Sequence, residues 1–340
     1  MATSDQLKAL LKSYTEGDES QFFAVAMQIA AHEARIGHGE LAKQLRNIID
    51  DSKTRQKRGR FTKAPTPIFQ PQGELSALVT ASFPKLRLPD MTIDSGVSLR
   101  LLRIIEELRQ ITKLRSHGLS PRRKFLLLGP PGTGKTMTAS ALAGELGLPL
   151  LVARMDGIIT KYMGETSAKL RMIFEALKHN RGVYLFDEFD SIGTTRASGN
   201  DVGEMRRILN SFLQFMDEDN SESLILSATN HPGILDHALF RRFDDVIEYA
   251  LPDKESRIRL LQNRLASYKK IEVNWEKLAD AASNISHADI TRACDDAIKD
   301  MIIHDRNGIT QKDILQMITE RKILDKKHYN QNKQGLTTPK

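Results

Sequence analysis

The stretch KFLLLGPPGTGKTMTASALAGEL, residues 124–146, predicts a strand, a phosphate-binding loop and a helix in immediate succession. Residues 124–128 form a short apolar run, which is typical of a strand buried on both faces. Residues 129–136, GPPGTGKT, fit the pattern G-x-x-x-x-G-K-S/T, in which backbone N–H groups and a helix N-terminus surround phosphate oxygens. A glycine-rich turn without a ligand is the alternative, but the strand and the helix on either side favour a nucleotide site.

Two residues of this loop have predicted roles of their own. Lys135 places a positive charge on the outer phosphates, and Thr136 supplies a hydroxyl to Mg²⁺. ATP and Mg²⁺ are therefore the predicted cofactors. The predicted nucleotide-binding residues are Gly129, Pro130, Pro131, Gly132, Thr133, Gly134, Lys135, Thr136 and Met137.

Four more apolar runs follow the first, with helical patterns between them. They are PLLVARM, GVYLFDE, LILSATN and DDVIEYA, and the helical patterns cover residues 137–146, 165–178 and 203–216. Alternating strands and helices predict an α/β fold with a parallel five-stranded sheet and helices on both faces. After Pro252 the pattern is entirely helical, which predicts a separate C-terminal helical lid.

The remaining sequence divides the chain further. Residues 1–51 show apolar residues at helical spacing and predict a small bundle of three helices, which has no chemistry of its own and would recruit substrate or adaptor. The predicted units are the N-terminal bundle 1–51, a basic, proline-containing linker 52–75, an α/β nucleotide-hydrolysing domain 76–252, the lid 253–325 and a polar tail 326–340.

Composition narrows the class of protein. Of the 340 residues, 40% are apolar, yet no apolar run approaches the ~18 residues of a membrane span, and the N-terminus lacks the order of a signal peptide. We therefore expect a cytoplasmic protein with no membrane partner. Cys294 is the only cysteine, which excludes an internal disulfide, and its helical context favours a small buried side chain.

The positive charge is local. The formal net charge is +7, and residues 53–63 hold six basic residues and no acid, which leaves +1 for the rest of the chain. This patch would contact nucleic acid phosphates or an acidic partner, or it is a solvated linker held extended by self-repulsion. The second interpretation is the favoured one.

Polar side chains follow two other predicted strands. Asp187 and Glu188 end the buried run VYLF, and unpaired charges are costly to bury there unless a metal and a water use them. We expect Asp187 to hold Mg²⁺ and Glu188 to activate the water that attacks the γ-phosphate. Asn230, at the end of LILSAT, would hold that water, or it is a polar residue that satisfies a turn.

An arginine pair stands next. Arg241 and Arg242 lie between Phe240 and Phe243, where two rigid guanidinium groups suggest phosphate recognition and the alternative is a solvated surface pair.

These elements together carry a family resemblance. A phosphate loop, an Asp-Glu strand end, an Asn strand end, an arginine pair and a helical lid occur in that order, which resembles the AAA family of the AAA+ ATPases over residues 90–325. The resemblance implies an AAA+ fold, ATP hydrolysis and a ring, usually a hexamer, in which Arg241 and Arg242 act as trans arginine fingers on the neighbouring subunit's ATP.

Two features depart from the family pattern. The family usually separates the two arginines by Pro-Gly, so either Arg241 or Arg242 could be the main finger. The usual Ser-Gly-Ala-Asp turn of the lid appears with His287 in place of glycine. His287 would sense the nucleotide state or, as the favoured interpretation, be a tolerated surface histidine.

The stretch TKYMGETSAKLR, residues 160–171, occupies the position at which protein-remodelling members of the family carry a pore loop. Tyr162 and Met163 would grip substrate there, since an aromatic ring and a flexible thioether contact varied side chains, and Lys161 of the same pore loop would orient it against an acidic neighbour. The alternative is that Tyr162 packs on its own subunit. Arg196, in residues 194–205, would belong to a second pore-facing loop.

The predicted function is an ATP-driven ring motor that remodels or unfolds proteins. Its predicted partners are other copies of the chain, a protein substrate and a separately encoded protease or adaptor. One alternative is an AAA+ ATPase that acts on nucleic acid through residues 53–63, as a loader or a replication or phage-defence factor. Another is a nucleotide-dependent assembly scaffold.

Overall fold

The computed structural model describes residues 8, 13, 25–30, 32, 44, 71–158, 163–189, 201–230 and 240–334, without the side chains of 163, 201–207 and 325–334. The chain forms two compact units, Met1–Ile68 and Phe69–Lys340. In the first unit, residues 25–30 are helical, as expected for the second predicted helix. Most of the predicted bundle and all of the basic patch lie outside the described residues, and the predicted domain boundaries stay predictions.

The second unit contains eight described strands. They are β1 (Val79–Ser82), β2 (Lys124–Leu128), β3 (Leu150–Ala153), β4 (Val183–Phe186), β5 (Leu224–Thr229), β6 (Asp245–Glu248), β7 (Lys270–Ile271) and β8 (Ile309–Thr310).

Eleven described α-helices accompany them in this unit. They are α1 (Leu75–Leu78), α2 (Ser95–Arg109), α3 (Ile111–Ser116), α4 (Lys135–Leu146), α5 (Met155–Ile158), α6 (Met163–His179), α7 (Asp201–Glu218), α8 (Lys254–Arg264), α9 (Trp275–Ala281), α10 (His287–Ile303) and α11 (Gln311–Gln334).

The main sheet has the strand order β1-β3-β4-β5-β2-β6, and all its strands except β1 run parallel. The five predicted strands and the α/β class are confirmed. The sixth strand, β1, pairs antiparallel with β3, Val79 opposite Ala153, and was not predicted. Its four residues bury only one side chain fully, so the sequence there shows no apolar run.

Helices cover both faces of the sheet, as the continuous apolar strands predict. On one face, α6 and α7 pack through residues such as Phe174 and Phe212 onto Phe186 of β4. On the other face, α2 and α4 bury residues such as Leu101 and Leu142. Burial on both faces holds the strand ends, and the side chains that follow them, in fixed positions.

The stretch SLRLLRIIEELRQITKL, residues 98–114, has a continuous helical pattern but belongs to two helices, α2 and α3. Asp94 caps α2 by accepting hydrogen bonds from the N–H groups of Gly96 and Val97, and the helix ends at Arg109. The following helix α3 buries no side chain fully, so no core contact holds it on the axis of α2. The periodic pattern alone does not show this break.

The lid is helical, as predicted, and also contains two short strands that the sequence did not predict. Its four helices α8 to α11 enclose a core that includes Leu261 and Cys294, and β7 pairs in parallel with β8 beside them. Strands of two residues are too short to leave a periodic signal in the sequence. Cys294 is fully buried, as expected, and its burial raises the pKa of the thiol to about 12.

None of the helices in the described ranges is long and apolar enough to cross a membrane.

Candidate functional site

Parallel strands bring the predicted nucleotide residues to one edge of the sheet. The loop of residues 129–134 follows β2, Asp187 follows β4 and Asn230 follows β5, and these three strands are neighbours. The carboxyl ends of adjacent parallel strands are where α/β proteins bind ligands. The structure therefore brings the loop, the carboxylates and the asparagine together where the strands end. We call this side of the sheet, formed by the carboxyl ends of its parallel strands, the carboxyl edge, and the opposite side, where those strands begin, the amino edge.

Two glycines of the loop pack too closely for any side chain. Gly129 has a φ of 146°, and a Cβ there would lie 2.3 Å from the carbonyl oxygen of Tyr249. Gly132 has a φ of 73°, and its Cβ would lie 2.5 Å from Oγ of Ser286 in the lid. The loop is thus pressed between the end of β6 and the lid, which explains its glycines physically.

Lys135 is held inside the loop that precedes it. Its side chain is 6% exposed, and Nζ donates to the carbonyl oxygens of Gly129 and Pro130 at 2.7 and 2.8 Å. Nζ also donates to Oδ1 of Asn230 at 2.7 Å. The ammonium group is therefore directed at the loop, and Asn230 lies next to it as expected.

The two predicted Mg²⁺ ligands are in contact. Oγ1 of Thr136 donates to Oδ2 of Asp187 at 2.6 Å. A hydroxyl and a carboxylate oxygen are the hard ligands that Mg²⁺ prefers, and Mg²⁺ needs only one or two such protein ligands beside phosphates. The residues present thus fit this cation.

Glu188 adopts an uncommon backbone conformation beside this pair. Its φ is 51°, in the left-handed region, and its N–H donates to Oδ1 of Asp187 at 2.9 Å. The next N–H, of Phe189, donates to the carbonyl of Ala228 in β5 at 2.9 Å, which fixes the turn on its far side. A left-handed backbone conformation in a residue other than glycine persists only where several surrounding contacts hold it in place. Residues in such conformations are concentrated at active sites.

A cavity of about 690 Å³ lies between this edge and the lid. The lid reaches it directly, because the N–H of Ala288 donates to the carbonyl of Gly132 at 3.0 Å. The cavity is lined by residues 131–137, Asp187, Glu188 and Asn230, by Asp90, Met91, Thr92 and Ile93, and by the lid residues Leu260, Asn263, Arg264, His287, Ala288, Thr291 and Arg292. It is of the size that small-molecule sites have.

The sequence did not reveal that residues 90–93 and Leu260 form part of the cavity wall. Met91 and Ile93 are single apolar residues in a short segment before α2, and Leu260 is one of the few apolar residues of the largely polar helix α8. Their shared position arises only when the lid folds back over the loop. No local pattern signals it.

His287 is not the surface histidine that the favoured interpretation expected. It lines the cavity, its Nδ1 is buried, and that nitrogen has no hydrogen-bond partner among the described residues. Burial lowers the pKa of the imidazole, and the nearby carboxylate of Asp253 opposes this only partly. His287 is therefore a neutral residue of the cavity wall.

The structure does not bring the arginine pair to this site. Arg241 and Arg242 lie in the turn before β6, and Asp245, which begins that strand, pairs with Phe125 at the start of β2. The pair thus lies at the amino edge of the sheet. At ~3.3 Å per residue along a strand, this edge is about 13 Å from the phosphate loop. Neither arginine lines the cavity.

The two arginines also differ from each other. Arg242 forms an ion pair with Asp217 near the end of α7. Arg241 is exposed and forms no ion pair with any residue that the structure describes. Phe243 beside them is buried in the core, which anchors the turn that carries both.

The predicted pore-loop residues fall largely outside the described part of the chain. Lys161, Tyr162 and Arg196 are not described, and Met163 is the first residue of α6, without a described side chain. Their grouping at a pore stays a prediction.

A phosphate loop at the carboxyl edge of a parallel sheet, a Thr-Asp pair beside it and a lid over it define a nucleoside-triphosphate-binding protein of the phosphate-loop class. Comparisons with known proteins narrow the class. Residues 125–251 match the family described as "ATPase family associated with various cellular activities (AAA)". The "Uncharacterized AAA family ATPase y4kL" of Sinorhizobium fredii is 34% identical over 315 residues, which cover 92% of this chain and 93% of that one.

Two further matches are shorter or more distant. The "Proteasome-activating nucleotidase" of Methanoregula boonei is 35% identical, and the match covers 64% of this chain but only 52% of that protein. The crystal structure of the FIGL-1 AAA domain superposes with a TM-score of 0.60 at 24% identity, covering 76% of this chain and 91% of that one, and supports the fold.

The chain belongs to the AAA family of ATPases, and it is an ATP-hydrolysing enzyme.

Proposed function

We propose that the chain is an ATP-hydrolysing ring motor that remodels or unfolds proteins by threading them past pore loops. One observation carries the proposal: the phosphate loop and the arginine pair lie at opposite edges of the same sheet. An arginine that contacts the transferring phosphate speeds hydrolysis by about 10³ to 10⁵. Because this chain presents its pair away from its own cavity, a neighbouring copy has to complete each site.

Within one subunit, the carboxyl edge supplies the rest of the chemistry. Lys135 would exchange a carbonyl or amide acceptor for a phosphate oxygen when ATP binds. Thr136 and Asp187 would hold Mg²⁺, which offsets phosphate charge when it is bound. Glu188 would accept a proton from the attacking water, and Asn230 would orient that water.

The lid supports conversion of hydrolysis into movement. The apolar side chains of Met91, Ile93 and Leu260 would contact the base, while the loop contacts the phosphates. The bond from Ala288 to Gly132 ties the lid to that loop. A change at the phosphates would therefore alter how the loop holds the lid. In other enzymes, binding and release at the site are likewise coupled to lid motions.

The proposal that the substrate is a protein is supported by the sequence of residues 160–171 and by the name of one relative. Tyr162 and Met163 have the chemistry to grip side chains of any sequence. One relative is named for activating a proteasome, which favours a protein substrate and a separately encoded protease for this chain.

Mixing two inactive variants tests whether each ATP site is formed by two neighbouring subunits. Lys135→Ala retains the arginine pair, and the double variant Arg241→Ala/Arg242→Ala retains the loop. We expect each alone to lose ATP turnover by about 10³-fold or more, and an equal mixture to regain about a quarter of wild-type turnover, because random assembly pairs intact loops with intact arginines.

The mixture is compared with each variant mixed with wild type, and energy transfer between labelled subunits reports whether mixed assemblies form. A mixture that assembles and stays as inactive as its components contradicts the proposal.

A further inference from the structure

Two buried hydroxyls meet beneath the phosphate loop. The phenol oxygen of Tyr249, just after β6, lies 2.6 Å from Oγ1 of Thr138 in the first turns of α4. Both residues are buried, Thr138 fully and Tyr249 with 6% exposed. A buried hydroxyl is costly unless it is hydrogen-bonded, so this contact specifies how the strand end and the helix pack.

The direction of these bonds follows from proton counting. Oγ1 of Thr138 also lies 3.1 Å from the carbonyl oxygen of Gly134, which can only accept. The single Thr138 proton is donated to that carbonyl, so Tyr249 donates its own proton to Thr138. Burial raises the pKa of Tyr249 to about 12, so the phenol remains a donor in the neutral pH range.

This chain of bonds ends on the peptide group that begins α4. The carbonyl of Gly134 accepts from both Oγ1 and the N–H of Thr138, the latter at 2.8 Å, and therefore points along the helix. Because the peptide is planar and trans, the N–H of Lys135 points the opposite way, out of the helix N-terminus. That is the direction in which a phosphate-loop helix presents its N–H groups to an anion.

Tyr249 also contacts the start of the same loop. Its N–H donates to the carbonyl of Leu128 at 2.7 Å, and its own carbonyl lies where a Cβ of Gly129 would be. One residue thus fixes both ends of the loop, Gly129 through its main chain and Gly134 through its phenol.

We propose that Tyr249 is a positioning residue for ATP, which acts through Thr138 to hold the Gly134–Lys135 peptide with its N–H toward the phosphates. The proposal rests on ATP binding by the single chain and not on ring assembly or protein threading. Its failure is therefore distinguishable from failure of the motor proposal.

A second buried phenol provides a matched control. Tyr184 lies in β4 of the same sheet, with 1% exposed, and donates to the carbonyl of Asn180 at 3.0 Å. That bond lies at the amino edge, away from the loop. Tyr184→Phe and Tyr249→Phe remove the same oxygen from the same sheet at its two edges.

The test is equilibrium binding of ADP and of adenosine to each variant, with thermal unfolding measured in the absence of nucleotide. We expect Tyr249→Phe to raise the Kd for ADP by about three- to tenfold, the range for one hydrogen bond, and to leave the Kd for adenosine unchanged. Both variants should lower the Tm, because each loses a buried hydrogen bond. Tyr184→Phe should leave the Kd values for ADP and for adenosine unchanged.

Thr138→Val adds an independent check. It breaks the same chain of bonds, so the double variant Tyr249→Phe/Thr138→Val should bind ADP as Thr138→Val does, rather than showing the product of two losses. The proposal is overturned if Tyr249→Phe lowers the Tm with no change in ADP affinity. It is equally overturned if ADP and adenosine weaken alike, or if the two losses multiply.

Discussion

The carboxyl and amino edges of the central sheet present their charged groups in opposite ways. At the carboxyl edge, Lys135 is almost fully buried, and Thr136 is bonded to Asp187. At the amino edge, Arg241 and Arg242 are both exposed, on a turn anchored by buried Phe243. At one edge the charged groups are packed inside the chain's own cavity, and at the other they are exposed, with Arg242 paired to Asp217.

Buried and exposed charged groups act in different places. Buried, bonded groups are preorganised for a ligand that enters the chain's own cavity. Exposed guanidinium groups on an anchored turn gain strong contacts only when a partner removes the surrounding water. This difference between the two edges is the one expected if the proposed intersubunit site is formed by the carboxyl edge of one copy and the amino edge of the next.

The largest expected effect is at the carboxyl edge, with Glu188→Gln. Loss of the base should lower ATP turnover by about 10² to 10⁴ while ATP still binds. Turnover and nucleotide affinity are measured together. Glu248→Gln, which changes an exposed carboxylate at the end of β6 outside the cavity lining, is the matched control and should remain active. Comparable losses in both variants would remove Glu188 from its proposed role.

The next effect separates the two arginines of the amino edge. Arg242 is already paired with Asp217 in its own chain, whereas Arg241 is not paired with a described residue. We expect Arg241→Ala to lower turnover at saturating ATP by about 10³ and Arg242→Ala by about tenfold.

Thermal stability should change little in either arginine variant, since exposed ion pairs contribute about 1 kcal/mol or less. The opposite order of losses in turnover would make Arg242 the main finger.

The smallest effect concerns the lid side of the carboxyl edge. The pKa of His287 is lowered by burial, so the folded state holds the neutral ring, and its contribution to stability is present above the unfolded pKa near 6.5 and falls as the pH drops below it. His287→Gln should therefore reduce the fall in Tm between pH 7.5 and 5.5 by about 1–3 °C.

Exposed His117, replaced by Gln, is the control and should leave that slope unchanged. An unchanged slope in His287→Gln would show that the ring is not held neutral.

Local chemistry explains which parts of this comparison the sequence could predict. The loop around Lys135, the carboxylates after β4 and Asn230 after β5 are each signalled by a strand and the polar residues that end it. The apolar runs predicted five strands, of which β2, β3, β4 and β5 are largely buried on both faces. The parallel order then places their polar ends together.

The features that were missed are short or depend on distant contacts. Strands β7 and β8 have two residues each, too few for a periodic pattern, and β1 buries only one of its four side chains and so shows no apolar run. The contact between Tyr249 and Thr138 joins residues 111 positions apart and depends on the register of β6 against β2. Neither residue type alone indicates it.

Strand β6 connects the two halves of the proposed intersubunit site. Its amino end follows the arginine pair, its carboxyl end leads into Tyr249, and the lid begins a few residues later. In the proposed ring, this four-residue strand is a spacer of fixed length between the phosphates of the next subunit and the loop of its own.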